Sequence, residues 1–305
     1  MDPLVFVLVA GAAVLHVTWN VLLKTAGDPL RAAAVGMATA AAVICPTALV
    51  AWVAIGRPAV GTDTIVLSIV SGLLEAVYFA FLAAAYRRGD LSLVYPLARG
   101  SAPLLAVAIG VVLLNERLGP VGFAGVAALI AGILALQRPW RYLRAAGRER
   151  GGAAGFALLT GITIAAYSAV DRVGVRGTEP WIYAGLIWAS CTVVLWAYVW
   201  AYRRRAGAIA ASSAAPRGAA GEPARFSYRR AGIGGLMTLA AYLLILIAFS
   251  VAPLTAVAPL RESAIVLASG WGAIRLREAD DRSDAVRRIG AAALVLAGAL
   301  LLAID

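Results

Sequence analysis

Leu93–Leu118, LVYPLARGSAPLLAVAIGVVLLNERL, is an apolar run with one arginine, Arg99, set inside it and an Asn-Glu-Arg turn behind it. Arg261–Glu278, RESAIVLASGWGAIRLRE, is a second version of its later part. Sliding Arg99–Glu116 along by 162 positions without a gap gives eight identities in eighteen: Arg99/Arg261, Ser101/Ser263, Ala102/Ala264, Leu105/Leu267, Ala106/Ala268, Gly110/Gly272, Leu114/Leu276 and Glu116/Glu278. The correspondence continues outward. Ser92, Val94 and Pro96 fall on Thr255, Val257 and Pro259 at a shift of 163, Tyr78 on Tyr242 at 164, and Ala131-Gly132 on Ala297-Gly298 at 166. Trp19-Asn20 and Lys24 fall more loosely on Tyr167-Ser168 and Arg172 at 148. The chain reads as two copies of one unit.

Composition sets the solvent for that unit. Of 305 residues, 62% are hydrophobic and 14% charged, with a mean hydropathy of +0.86. A soluble domain has roughly 45–50% apolar residues and about a quarter charged. The charges here also fall between long uncharged runs, and about 20 apolar residues suffice to cross the hydrocarbon. The pattern predicts an all-α membrane protein of ten helices, near 3–24, 31–55, 63–87, 91–114, 119–137, 152–172, 180–202, 229–250, 253–275 and 286–304. Residues 1–138 form the first five-helix repeat, 139–150 a basic connection, and 151–305 the second repeat, with a polar, flexible loop expected over 203–228. Short connections predict that sequential helices are antiparallel neighbours. Five is odd, so the second repeat enters the bilayer inverted relative to the first, a build common among secondary transporters with a site at the repeat interface.

The segments VYPLARGSAPLLAVAIGVVLLNERL, HVTWNVLLK and PLRESAIVLASGWGAIRLRE resemble the EamA-type branch of the drug/metabolite transporter superfamily. The resemblance runs through both halves. It implies a ten-helix transporter with a central cavity that moves small metabolites, amino acids or drugs without ATP. It implies no particular substrate. The second half departs from the pattern by about four extra residues at Ala279–Asp284 before its last helix.

Ionisable groups inside spans are the candidates for function, since each costs about 2.5–3.5 kcal/mol on insertion scales unless it faces protein or water. Arg99 and Arg261 lie about 12 Å into their helices at 1.5 Å per residue, at mirrored depths. They read either as a cavity lining that grips an anionic group or as ion pairs fixing helix packing. Glu75 sits mid-helix with Leu239 as its repeat partner. It reads as a buried partner of Arg99 across the 88–90 turn, or as a proton-coupling carboxylate. Asp171 and Arg172 fall nearer a helix end. His16, with Trp19 and Asn20 on one helical face, reads as an interhelical hydrogen bonder or a proton relay. Trp19, Asn20, Tyr78, Tyr167 and Tyr242 complete the candidate substrate site; Trp52, Trp188, Trp196 and Trp200 read as lipid-facing or interfacial anchors. Gly122, Gly125, Gly232 and Gly235 read as helix contacts, and Glu116 and Glu278 as turn-ordering groups.

The expected partners are a small-molecule substrate, the lipid bilayer and protons as coupling ion. No cofactor or metal site is expected: Cys45 and Cys191 both lie in apolar runs, and there is one histidine. The formal charge of +11 is read as helix ends meeting anionic headgroups, not nucleic acid. No G-x-x-x-x-G-K-[ST], HExxH or GxSxG occurs, so neither ATP nor an enzyme of those classes is expected. Two rivals remain beside a metabolite exporter: a proton-coupled multidrug pump working through Glu75, and a non-transporting intramembrane enzyme or scaffold.

Lys24 is the single lysine against 26 arginines, which with abundant Ala and Gly suits GC-rich bacterial DNA and hence a bacterial inner membrane. The regions after helices 1, 3, 5, 7 and 9 carry 21 Lys and Arg, the opposite side 4. The positive-inside rule therefore puts both termini outside, against the usual expectation for relatives. A topology reporter fused after Asp305 should be active only in the external compartment; activity in the cytoplasm would overturn the charge argument.

Overall fold

Two of the first helices start by the same device. In a computed structural model, which describes residues 2–88, 91–138, 152–212, 226–261 and 282–304, the Asp2 carboxylate accepts from the Leu4 N–H at 2.8 Å and opens α1 (Pro3–Thr25). Asp28 accepts from the Leu30 N–H at 3.0 Å and opens α2 (Pro29–Ala54). Each aspartate is followed by proline, whose fixed φ suits a first helical position and whose missing N–H would have no partner there. The chain continues as α3 (Thr62–Arg88), α4 (Leu91–Val112), α5 (Pro120–Gln137), α6 (Ala153–Gly174), α7 (Pro180–Ser212), α8 (Tyr228–Val251), α9 over residues 254–261, and α10 (Arg282–Ile304). A single 3-10 turn, Val175–Gly177, joins α6 to α7. No strand occurs among the described residues.

Among the described residues the helix positions follow the sequence expectation to within a few residues, with one correction; most of the ninth expected helix, 253–275, lies outside the described residues. α7 runs on to Ser212, ten residues past its predicted end at 202, through part of the segment expected to be loop. Arg203–Ser212, RRRAGAIAAS, is rich in alanine and arginine, both strong helix formers, so solvation alone does not end the helix there.

Six helices, α1, α2, α3, α6, α7 and α8, are long and apolar enough to cross a bilayer, and α4, α5 and α10 carry shorter apolar windows among the described residues. The outside is apolar as well: Val7, Val14, Val112, Leu113 and Val193 are each 68–71% exposed. Such a surface is unsuited to water and suited to lipid.

Packing departs from the expected order. Sequential helices barely touch. The main contacts are α3 with α6 and α7, α1 with α8, α2 with α7 and α8, α4 with α6, and α5 with α10. Every one of these pairs joins a helix of residues 1–138 to a helix of residues 151–305. Short loops connect the helices in sequence, but the helix surfaces choose other partners.

Glycine makes those choices possible. A Cβ on Gly235 would overlap the Gly36 carbonyl, so α2 and α8 meet backbone to backbone. On α5, a Cβ at Gly125 would lie 2.9 Å from the Gly298 carbonyl oxygen, and one at Gly132 would lie 2.8 Å from that of Ala291. As the chain rises from 125 to 132 its partner falls from 298 to 291, so α5 and α10 run antiparallel. Gly232, expected to act in the same way, has only ordinary contact with Thr39 at 3.6 Å.

Gly235→Ala should lower the thermal midpoint of the purified protein, by an overpacking penalty of about 1–3 kcal/mol. Gly155→Ala, whose Cβ would meet nothing within 4 Å, should leave the midpoint unchanged. Equal melting of the two variants would refute the backbone contact.

Candidate functional site

Helical spacing carries four sets of polar and aromatic side chains to one place. Ser71, Glu75, Tyr78 and Phe79 recur at three- and four-residue steps along one face of α3, and Tyr167 and Asp171 stand four apart on α6. Ala12, His16 and Trp19 do the same on α1, and Thr238, Tyr242 and Ile245 on α8. α3 packs on α6 and α1 on α8, and the four faces enclose a small cavity of about 30 Å³ that also meets Arg261 of α9. A cavity of that size holds about two water molecules.

The aromatic rings form a continuous lining. Trp19 meets Phe79 edge-on at 6.2 Å between centroids, Phe79 meets Tyr78 at 4.9 Å, Tyr78 meets Tyr167 at 5.9 Å, and Tyr167 meets Tyr242 at 6.1 Å. Trp188 closes the row, its ring perpendicular to Tyr242 at 5.0 Å. These geometries are the edge-to-face and tilted contacts that ring quadrupoles favour.

Beside the rings lies a buried polar cluster. The Ser71 hydroxyl donates to Asp171 Oδ1 at 2.5 Å, and the Tyr242 hydroxyl donates to Asp171 Oδ2. Glu75 and Tyr242 line the same cavity. Glu75 is 5% exposed and Asp171 1%. A charge held this far from water is tolerated only with partners, and for Asp171 the hydroxyls of Ser71 on α3 and Tyr242 on α8 supply them.

The positions of the expected residues divide cleanly. Trp19, Tyr78, Tyr167, Tyr242, Arg261, Glu75 and His16 line the cavity. Arg99 and Asn20 are buried but do not; the Arg99 charge bears on Tyr78, and the Asn20 amide donates back to the His16 carbonyl at 2.8 Å. The expected Glu75–Arg99 ion pair does not form among the described residues, because α3 packs against α6 rather than folding against α4. His16 is not interhelical in its hydrogen bonding: its Nδ1 accepts from Trp19 Nε1 at 3.0 Å on the same helix, and its buried Nε2 has no partner. Trp188 is a correction. Expected at the lipid boundary, it is fully buried, since α7 turns that face to α8's Tyr242, while Trp196 and Trp200 are exposed.

Asp171 is the site residue that the sequence undersold, through its place near a helix end. Its signal was Tyr167, one turn earlier on the same face. The neighbouring Arg172 belongs to a different arrangement. Its Nε lies 3.3 Å from Glu116 Oε1 and its Nη1 donates to the Phe249 carbonyl at 3.0 Å. Glu116 in turn accepts from the Leu254 and Thr255 N–H groups at 2.8 and 2.9 Å, capping the start of α9. Glu116 thus orders a junction of four segments, and Glu278 lies outside the described residues.

No protein-family model matches the chain, and no curated protein sequence matches it either. In fold it matches 27 chains of solved structures. One of them, described only as a crystal structure of a protein, superposes with a TM-score of 0.64 at 20% identity, covering 98% of both chains. At that identity the likeness is one of fold alone, and it extends over the whole length.

Glu116→Ala should destabilise the protein by about 1–3 kcal/mol, since it strips acceptors from two N–H groups and a partly buried arginine. Glu116→Gln, which keeps one acceptor oxygen, should recover part of the loss. Thermal unfolding of the two purified variants measures this; equal midpoints for Ala and wild type would rule out the capping role.

Proposed function

We propose that this protein is a secondary-active transporter, and an exporter in particular, of small polar metabolites carrying an anionic or zwitterionic group, amino acids among them. It belongs by this reading with the EamA-type transporters and works as ten helices in two inverted five-helix repeats. The observation that carries the proposal is the cavity, lined from both halves, with a guanidinium, a carboxylate and the rings of Trp19, Tyr78, Phe79, Tyr167 and Tyr242 converging on it.

The packing supports the repeat. Exchanging each helix with the one five places away turns α3·α6 into α8·α1 and α3·α7 into α8·α2, and leaves α2·α7 and α5·α10 as they are. Residue contacts follow the same exchange. At the shift of 166, the pair Gly125–Gly298 becomes Ala291–Gly132, and both contacts are present. The cavity lining obeys it too, with Trp19 opposite Tyr167 and Tyr78 opposite Tyr242 as repeat partners. A site at the axis of two inverted units is what alternating access by rocking requires.

Arg261 on the wall favours a carboxylate or similar anion over a cationic drug. The rival drug-pump reading would use Glu75, on the same wall, as the cation's partner. The cavity is too small for a metabolite as it stands, so a substrate enters only after α1 and α8 move relative to α3 and α6.

Reconstituted into proteoliposomes, the protein should exchange labelled for unlabelled metabolite, and an exchange screen identifies the class. Arg261→Lys should weaken an anionic ligand, because the planar fork that binds a carboxylate bidentately is lost, and Arg261→Ala should weaken it further. Arg99→Ala should act through Tyr78 and cost less. Wild-type affinity in a monodisperse Arg261→Ala protein would sink the substrate-site role.

A further inference from the structure

His16 breaks the repeat. At the shift of 148 its partner is Ile164 of α6, a buried aliphatic side chain. The matching position therefore packs without a polar group, so the imidazole is not required by the fold. Polar side chains within membrane spans are costly and tend to serve function.

Trp19 decides where the imidazole carries its hydrogen. An indole Nε1–H can only donate, and on the same helix it donates to His16 Nδ1 at 3.0 Å. Trp19 is buried, so its N–H depends on that acceptor. The two rings stand perpendicular, with centroids 4.9 Å apart. Turning the imidazole over would set a carbon against the indole N–H, so the bond fixes the ring's orientation too. Nδ1 thus presents a lone pair. A neutral imidazole has one ring hydrogen, and here it must lie on Nε2. A second hydrogen would sit on Nδ1, head-on against the indole N–H. While Trp19 holds it, His16 is a donor and not a proton carrier.

That donor is unpaired. Nε2 is buried and meets no hydrogen-bond partner among the described residues. A bond left unmade at a buried donor is costlier than one never required. His16 lines the cavity together with Arg261 of α9, which adds donors and no acceptor. The other titratable groups of that wall are Glu75 and Tyr78 of α3, Tyr167 of α6 and Tyr242 of α8, and the Arg99 charge of α4 also bears on His16. Two donor groups, one of them a guanidinium, suit an anionic oxygen.

We propose that His16 Nε2–H binds substrate directly, sharing a carboxylate of the ligand with Arg261, and that Trp19 is the positioning residue that holds the donor tautomer. An N–H is of no use to a cation, so His16 selects against one. That the bound carboxylate belongs to a transported metabolite rests on the transporter reading; the fixed tautomer and the anion site do not.

The chain contains one histidine, so nitrogen NMR of purified protein labelled at histidine reports His16 alone. The wild-type spectrum should show the neutral Nε2–H tautomer and keep it as pH falls through the range where free imidazole titrates, about 6.5. Trp19→Phe, which keeps a ring but removes the N–H, should give a mixture of tautomers that titrates. An Nδ1–H tautomer in the wild type, or a wild-type imidazole that titrates as readily as that of the variant, would overturn the proposal. Formate, the smallest carboxylate, is the probe for so small a cavity. It should shift the Nε2 resonance saturably, where sodium chloride and methylammonium chloride at equal ionic strength do not, and Arg261→Ala should weaken the response. Absence of a formate-specific shift would also overturn it. In proteoliposomes, His16→Phe should raise the half-saturation concentration for an exchanged metabolite about 10–100-fold, with a smaller change in maximal rate. His16→Gln, which keeps an N–H donor, should recover part of that loss. Equal half-saturation for His16→Phe and wild type would remove His16 from the substrate site. Formate binding to a protein that exchanges no metabolite would sink the transporter reading and leave the anion site standing.

Discussion

Backbone-to-backbone approach of helices from opposite halves is the constraint on which the rest depends. Lipid chains are as apolar as leucine, so no hydrophobic force drives one membrane helix against another, and close packing must take its place. Gly36 against Gly235, Gly125 against Gly298 and Gly132 against Ala291 bring helix axes together without side chains between them. Sequential helices lack such contacts and stand apart. Neither half therefore has a packed interior of its own. What each half offers is a set of small-residue faces, and the other half fills them.

Burial of charge follows from that interleaving. Glu75, Arg99, Asp171 and Arg261 are all below 9% exposed, and each comes from a different helix. Ser71 of α3 and Tyr242 of α8 both reach Asp171 of α6, and Glu75 shares the cavity wall with Tyr242. A partly satisfied network in this setting would be worse than leucine, so the cluster can persist only where α3, α6 and α8 are held in register. The glycine contacts supply that register. Arg172 and Glu116 reinforce it at one end by tying α6 and α8 to the start of α9.

Much of this was legible in the sequence, and the limits have physical causes. The Arg99/Arg261 and Tyr78/Tyr242 correspondences and the apolar runs led to an all-helical membrane protein with helices placed within a few residues. They also led to most of the cavity lining, because repeat-matched aromatics and intramembrane charges are rare enough to be informative. Which helix packs on which was not legible. Loop length suggested sequential neighbours, while the true pairing depends on surface fit between segments a hundred or more residues apart. That error produced the mistaken Glu75–Arg99 pair and hid the role of Trp188. Asp171 was given little weight because distance to a helix end is a poor guide to depth when the last turn of α6 is itself buried, with Gly174 against Tyr183 and Val175 out of solvent.

On the proposed reading, two inverted units with identical linings would give inward- and outward-open states of equal energy, so any preference between the two states must come from residues that break the repeat. Trp19 with Tyr167 and Tyr78 with Tyr242 are the symmetric part, shaped to contact a substrate alike from either side. Glu75 and Asp171, set against Leu239 and Leu23, are the asymmetric part.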